Sequence, residues 1–404
     1  MSQAPRAHAA PARRHPVITT ILATHLVLAL VTALGVLLFY RHLDGRLGSG
    51  DDIDHLVPQA EKSDGPRQPL NILLLGTDSR NCAGCSIDKE TGEGGSDTTI
   101  LLHVAADRKS AYGVSIPRDA LVSRPECTDD QGNVVAGADE VMWNNAYAVG
   151  GADCTAKQTE LLTGLHVDHY IALNFGGFKG MVNAIGGVTV CIPEEVDDAK
   201  HNIHLPAGTH NLRDQQALNY VRERYSTPNS DIGRMKRQQY FIAQMINKVV
   251  SAGTLARPYR LGRFANALVG SITTDIKHVS DLVSLATQLK DADLQHVKFV
   301  TVPNVAYPEG DPHWGRLRIL PSAKRLWTRM KKDQPLGKQL SSGAISAGES
   351  ASGGPSASST PSAGSSSSAS SSPSPSSSSP SSSPSPSAED TQAAQEAAAN
   401  GLCA

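Results

Sequence analysis

Five residues past the middle of the chain have the types and spacing to bind an anion. Arg222 and Arg224 sit two apart in Tyr220-Val-Arg-Glu-Arg-Tyr225, and Arg234, Arg237 and Gln238 follow within Asp231-Ile-Gly-Arg-Met-Lys-Arg-Gln. On an extended segment, side chains two apart share a face. On a helix, spacings of three and four do the same. If the two pieces fold together, several guanidinium groups converge, and their repulsion disfavours that arrangement unless an anion fills it. Guanidinium forks grip phosphate oxygens two at a time, which accounts for Arg rather than Lys. Asp231 stands at the head of the helical piece, where a carboxylate caps free N–H groups. The ordinary use of such a charge run is a solvated helix face paired with Glu223 and Asp231, so the arginines alone leave both uses open.

Further candidates lie where strands end. Leu70–Leu75 is a short apolar run closed by Gly76, and Asp78 and Arg80 follow directly. Thr98–Val104 and Ala111–Ile116 also read as buried strands; Asp97 immediately precedes the first, and Pro117-Arg118-Asp119 follows the second. Ligands of open α/β sheets bind at the carboxyl ends of strands. Singly, each of these residues is more often a turn, cap or surface residue. Together they suggest a metal-bound polyanion, because two carboxylates plus phosphate oxygens are how Mg²⁺ is usually held. Asp78 and Asp97 are then the expected metal ligands, provided the Gly-rich loop 81–95 folds back between them. The sequence has neither a Walker-type Gly-Lys-Ser/Thr loop nor a Gly-x-Ser-x-Gly elbow, which argues against a nucleotide triphosphate pocket and against serine acyl transfer.

The elements that must position these groups follow from the hydrophobic pattern. Ala156–Leu162, Phe178–Ile185, Asp214–Tyr220, Ile232–Val250 and Val279–Leu289 predict helices, and Val188–Ile192 and Val297–Val302 predict strands. Strands interleaved with helices predict an α/β sandwich. Upstream, residues 17–40 run for 24 positions without a formal charge, enough to cross the hydrocarbon layer. The run ends in Leu-Leu-Phe-Tyr40 rather than at a small-residue cleavage site, which favours a retained anchor over a signal peptide. Arg6, Arg13 and Arg14 before it place the N-terminal tail, residues 1–16, in the cytoplasm.

Residues 41–68 read as a spacer, 69–335 as the folded domain outside the membrane, and 336–404 as a Ser/Pro-rich disordered tail. Residues 341–388 are almost only Ser, Pro, Ala and Gly, too poor in apolar surface to offset the entropy of ordering. An Ala-rich stretch at Thr391–Ala404 could close the chain with a short helix. Of the six cysteines, Cys82, Cys85, Cys127 and Cys154 are disulfide candidates in an oxidising compartment. Cys127 and Cys154 flank a polar excursion that a bridge would staple. A net charge of −2 over 404 residues gives no reason to expect a nucleic-acid partner.

In order along the chain stand Asn71-Ile-Leu-Leu-Leu-Gly-Thr-Asp-Ser-Arg80, Ser96-Asp-Thr-Thr, Ser115-Ile-Pro-Arg-Asp, Asn145-Ala-Tyr-Ala-Val-Gly-Gly, Ile185-Gly-Gly-Val, and Ala217-Leu-Asn-Tyr-Val-Arg-Glu-Arg through Arg237-Gln-Gln. These motifs closely resemble the LytR–CpsA–Psr family of cell-wall glycopolymer ligases over about Leu70 to Val250. The resemblance implies an αβα sandwich with a central mixed β-sheet and a hydrophobic channel, here preceded by one transmembrane helix. It implies Mg²⁺- (or Mn²⁺-) dependent transfer of a teichoic-acid- or arabinogalactan-like glycopolymer. The polymer passes from a polyprenyl-pyrophosphate carrier to the muramic acid 6-hydroxyl of peptidoglycan, forming a phosphodiester.

Residue by residue, Asp78 and Asp97 match the metal-associated acids and, with Arg118, are the expected catalytic residues. Arg118, Arg222, Arg224, Arg234 and Gln238 match the pyrophosphate grip; Arg80 and Arg237 lie inside the same motifs and join that candidate set. The insertion at Cys82–Gly95 separates the two acids and departs from the family pattern. The same residues would also serve a pyrophosphatase that uses water as acceptor, or a wall regulator that binds prenyl phosphates without turnover.

Overall fold

The computed structural model describes residues 16–58, 67–78, 95–224, 230–251, 258–288, 293–349 and 388–403. Arg80, Cys82 and Cys85 lie outside the described residues, as do Arg6, Arg13 and Arg14.

Helix α1, Pro16–Asp44, contains the apolar run and is long and apolar enough to cross a membrane; none of its most apolar window is buried against the rest of the chain. An eight-stranded mixed sheet forms the centre of the domain. Its strands are β1 (Gly48–Ser49), β2 (Leu70–Thr77), β3 (Ser96–Val104), β4 (Ala111–Ile116), β5 (His169–Asn174), β6 (Ile272–Thr274), β7 (Val297–Thr301) and β8 (Ile345–Ser346). They lie in the order β1-β6-β5-β2-β3-β4-β7-β8. Strand β3 runs antiparallel to both β2 and β4, while β2 pairs parallel with β5 and β4 parallel with β7.

Successive side chains on a strand point to opposite faces, and here both faces are covered. Ile100 packs in one cluster with Tyr240 and Phe241 of α5, Ser230–Ser251. Its neighbour Leu101 belongs to a different cluster, with Leu326 and Trp327 of α8, Ala323–Lys331. Leu73 and Leu75 pack on Ala156 of α2, Asn145–Thr163. Helices α3 (Phe175–Ala184) and α4 (Asp214–Arg222) lie on the α5 side, through Phe178, Val182, Ala217 and Tyr220. The architecture is the expected αβα sandwich with a mixed sheet. A Cβ on Gly113 would stand 2.4 Å from the Phe299 ring, so a glycine is needed for that ring to lie across β4. Helix α3 is stopped by a glycine pair: Gly186 and Gly187 adopt φ of 81° and 87°, a region that side chains with a Cβ rarely enter.

Two segments differ from the sequence reading. Within the spacer expected at 41–68, residues 41–58 do not stand off from the domain. Helix α1 runs on to Asp44, Gly48–Ser49 pairs in parallel with β6, and the Leu56 and Val57 N–H groups donate to the Glu160 carboxyl at 2.6 and 2.8 Å. These contacts use backbone groups and a distant side chain, so a polar composition conceals them. The tail expected to be disordered over 336–404 is fixed at two places. Ile345–Ser346 adds to the sheet as β8, antiparallel to β7. Helix α9, Ala388–Ala399, leads to Leu402 in the α5 core cluster and to Cys403, which is bridged to Cys191. Cys127 and Cys154 form the other disulfide among the described residues, as their placement suggested. The Cys191–Cys403 bridge was outside the candidate set because the Ser/Pro stretch disguises the short folded segment beyond it.

Candidate active site

A cavity of about 500 Å³ opens between the sheet and the α3–α5 layer. Its floor comes from the strand ends. Thr77 is paired with Ser96, and the Asp78 N–H donates to the Gly95 carbonyl at 3.2 Å, so Asp78 and Asp97 leave adjacent antiparallel strands at the same edge. Thr99 is paired with Ile116. Two residues further along each strand, that register sets Arg118 opposite Asp97, and the Arg118 Nη1 donates to Asp97 Oδ1 at 2.7 Å. Asp78, Asp97 and Arg118 all line the cavity.

The opposite wall is the helical layer. Arg222, Arg224, Arg234 and Gln238 line the cavity with the three strand-end residues. Arg222 differs from expectation in one respect: it ends α4 rather than lying on an extended segment, and its guanidinium stands 5.1 Å from the Phe175 ring centroid. Gln238 donates to the Val221 carbonyl at 3.0 Å and ties α5 to the end of α4. Arg237 does not join the cluster. It is 3% exposed, points away from this cavity and donates to the Glu223 carbonyl. Its place is structural: it holds the chain that carries Arg222 and Arg224.

One ion-pair chain connects floor and wall. Arg118 Nε lies 3.4 Å from Asp119 and 3.4 Å from Asp231, and Asp231 lies 3.5 Å from Arg234. Burial opposes the Arg118 charge, yet Asp97, Asp231 and Asp119 outweigh it and raise its pKa, so Arg118 stays a cation. Asp119 and Asp231 share a hydrogen bond. Burial and that bond raise the Asp119 pKa; for Asp231 burial also pushes upward, but Arg234, Asp119 and Arg118 pull it below the usual range. Asp231, between two guanidinium groups, is thus the readier of the pair to ionise, and Asp119 the readier to take up a proton. Burial lowers the Arg234 pKa, as expected for a cation held in a site that lacks enough negative charge of its own.

Sequence reasoning missed two supports of this arrangement. Asp119 also accepts from Arg316 Nη1 at 3.1 Å, a residue from far along the chain with no local signal. Gln239 is fully buried and donates to the Ser115 and Thr301 hydroxyls at 2.8 and 2.9 Å, fixing α5 on β4 and β7.

Away from these charges, and apart from Asp198 and His201, the cavity is mainly apolar. Phe175, Phe178 and Met181 of the α3 layer face Phe241, Ile242 and Met245 of α5, with Ile171, Leu268 and Ile272 beyond them. The arrangement suits a ligand with an anionic head and a long hydrocarbon tail.

The LytR_cpsA_psr family model matches residues 48–331. This chain belongs to that family. It is 33% identical over 325 residues to the cell wall biosynthesis protein LcpA of Corynebacterium glutamicum, covering 72% of this chain and 60% of LcpA. It thus spans less than two thirds of that relative's length. It is 30% identical over 226 residues to an Enterococcus faecalis protein, covering 56% of this chain and 67% of the relative. That relative is named polyisoprenyl-teichoic acid–peptidoglycan teichoic acid transferase TagU. Among solved structures, the protein gbs0355 of Streptococcus agalactiae superposes with a TM-score of 0.54 at 25% identity, over 67% of this chain and 90% of that one. The family match begins at Gly48, within the segment that the sequence reading assigned to a spacer, in keeping with the packing of residues 48–58 on the domain.

Proposed function

We propose that this chain transfers a glycopolymer from a polyprenyl-pyrophosphate carrier to peptidoglycan. The observation that carries this reading is the continuity of one cavity from an apolar part to four arginines and the strand-end carboxylates Asp78 and Asp97. A nucleotide or a free sugar phosphate would leave the apolar part unfilled, whereas a prenyl pyrophosphate fills both. The name of the E. faecalis relative is consistent with the same substrate class. In the reaction, the acceptor hydroxyl oxygen attacks the glycan-linked phosphorus. The bond from that phosphorus to the bridging oxygen breaks, polyprenyl phosphate leaves, and the hydroxyl proton is lost. Arg118, Arg222, Arg224 and Arg234 stabilise the charge that develops on the phosphate oxygens.

Asp78 and Asp97 would hold Mg²⁺ or Mn²⁺. Their fit rests on the donor set: two hard carboxylates leave paired strands at one cavity edge, and Arg118 engages only one of the Asp97 oxygens. Such an ion would neutralise charge on the departing phosphate. Helix α1 anchors the chain as a single span with its N-terminus in the cytoplasm. The two disulfides support a domain on the outer side, where thiols are oxidised.

Labelled lipid-linked glycan supplied with peptidoglycan oligomers should transfer label to the oligomers. Chelation should stop this, and Mg²⁺ should restore it. Label released only as free glycan phosphate would replace the transferase by a hydrolase. Lipid bound without any product would replace it by a binding protein.

A further inference from the structure

Helix α1 does not stop where its apolar run stops. It continues to Asp44, and Leu43, only 2% exposed, is buried with Val269 of α6 (Pro258–Val269) and Val279 of α7 (Val279–Gln288). Tyr40 and Leu47 pack on the same cluster. Asp44 Oδ1 accepts the Val279 N–H at 2.8 Å and so caps α7, and Arg46 donates to Asn266 Oδ1 at 2.7 Å. Leu43 lies three residues beyond Tyr40, the last of the apolar run. At about 1.5 Å of rise per residue, that is roughly 5 Å of helix. An unbroken helix clamped on two others passes its orientation to the domain, and too little chain lies between span and clamp for the domain to stand away.

We propose that the end of α1, helix α6 and the first turn of α7 form a surface seated on the headgroups of the bilayer that α1 crosses. Arg41, Arg46 and Arg263 are exposed along its α1–α6 side, where phospholipid phosphates would meet them. One element of this surface also builds the cavity: Leu268 of α6 lines its apolar part, beside Ile272 of β6, the strand that follows α6. A hydrocarbon chain can therefore pass from the bilayer into the cavity beneath α6 without crossing bulk water. This second consequence rests on reading the cavity as a lipid site; the seating of the surface does not.

The test uses full-length protein in phosphatidylglycerol-containing vesicles, with a photo-crosslinking residue placed at Ser280, exposed at the start of α7, or at Lys298 on β7, near the opposite edge of the sheet. Phospholipid adducts are expected at position 280 and not at 298. A flexible Gly/Ser insertion of about twelve residues between Arg41 and His42, which reaches about 20 Å, should abolish the adduct at 280. The cluster of Leu43, Val269 and Val279 lies beyond the insertion and is left whole. The same insertion should lower transfer from a bilayer-embedded long-chain carrier and spare transfer from a short-chain, water-soluble one. No adduct at 280 in the uninterrupted protein, or equal adducts at both positions, overturns the seating. Adducts at 280 with both carriers equally affected by the insertion overturn the direct lipid route. Adduct formation needs no turnover, so failure of the transferase reading would show separately, as absence of product from either carrier.

Discussion

Arg118→Ala is expected to lower transfer by about 10²- to 10³-fold, the cost of removing one positioned donor from a charge-stabilising site. The expected loss is in kcat more than in KM, because Arg222, Arg224 and Arg234 still line the cavity and would hold the ground-state pyrophosphate of the proposed substrate. A second effect has the opposite sign. Arg118 neutralises Asp97, Asp119 and Asp231, at 2.7, 3.4 and 3.4 Å. Without it Asp97 keeps its whole carboxylate for a cation, and the local potential becomes more negative, so half-saturation by Mg²⁺ should fall as the rate falls. Arg118→Lys should recover little: one ammonium is a compact point charge and cannot span three carboxylates as a planar fork does. Turnover of Arg118→Ala within about threefold of the parent would remove Arg118 from the chemistry, since a charge-stabilising donor is worth far more than that. A lost rate with unchanged Mg²⁺ dependence would instead separate Asp97 from the metal.

The strand-end residues were legible because a buried strand announces itself by composition and its polar terminus is marked by Gly or Pro. What pairs them was not. Asp97 meets Arg118 only through the β3–β4 register, and register depends on cross-strand packing that a single sequence does not display. The helix shows the same limit more sharply. At about 100° per residue, Arg237 lies about 60° to one side of Arg234, and Gln238 about 40° to the other. Spacing therefore names a face without saying on which side of Arg234 the ligand lies. The fold chooses Gln238, and Arg237 is buried against the Glu223 carbonyl. At both ends of the chain, composition misled for a common reason. The juxtamembrane stretch and the last residues are bound by backbone hydrogen bonds, one disulfide and a few isolated apolar side chains. None of these produces a periodic pattern.

Glu160→Ala is expected to lower the unfolding free energy by about 2–4 kcal/mol, because the buried Val167 N–H loses its acceptor at roughly 1–3 kcal/mol and three more exposed donors lose a hydrogen bond to a carboxylate. Glu160 is 1% exposed. Its Oε1 accepts from His55 Nδ1 and the Val167 N–H at 2.8 and 2.9 Å, and its Oε2 accepts from the Leu56 and Val57 N–H groups at 2.6 and 2.8 Å. Each oxygen thus already carries two hydrogen bonds. His55, Glu160 and His166 stand close enough to share a metal ion, but an ion there would have to displace donors that are in place. Added Zn²⁺ should consequently not raise the denaturation midpoint. Glu160→Gln should restore little of the loss, since whichever way its amide turns, an NH₂ group faces two donors. Denaturant titration in detergent micelles measures the loss, and limited proteolysis locates it: cleavage should appear first within residues 50–58, the strap released from α2. An unmoved midpoint in Glu160→Ala would mean that the strap contributes nothing to stability. The domain would then be held to its anchor by the α1 contacts with α6 and α7 and by the pairing of Gly48–Ser49 with β6.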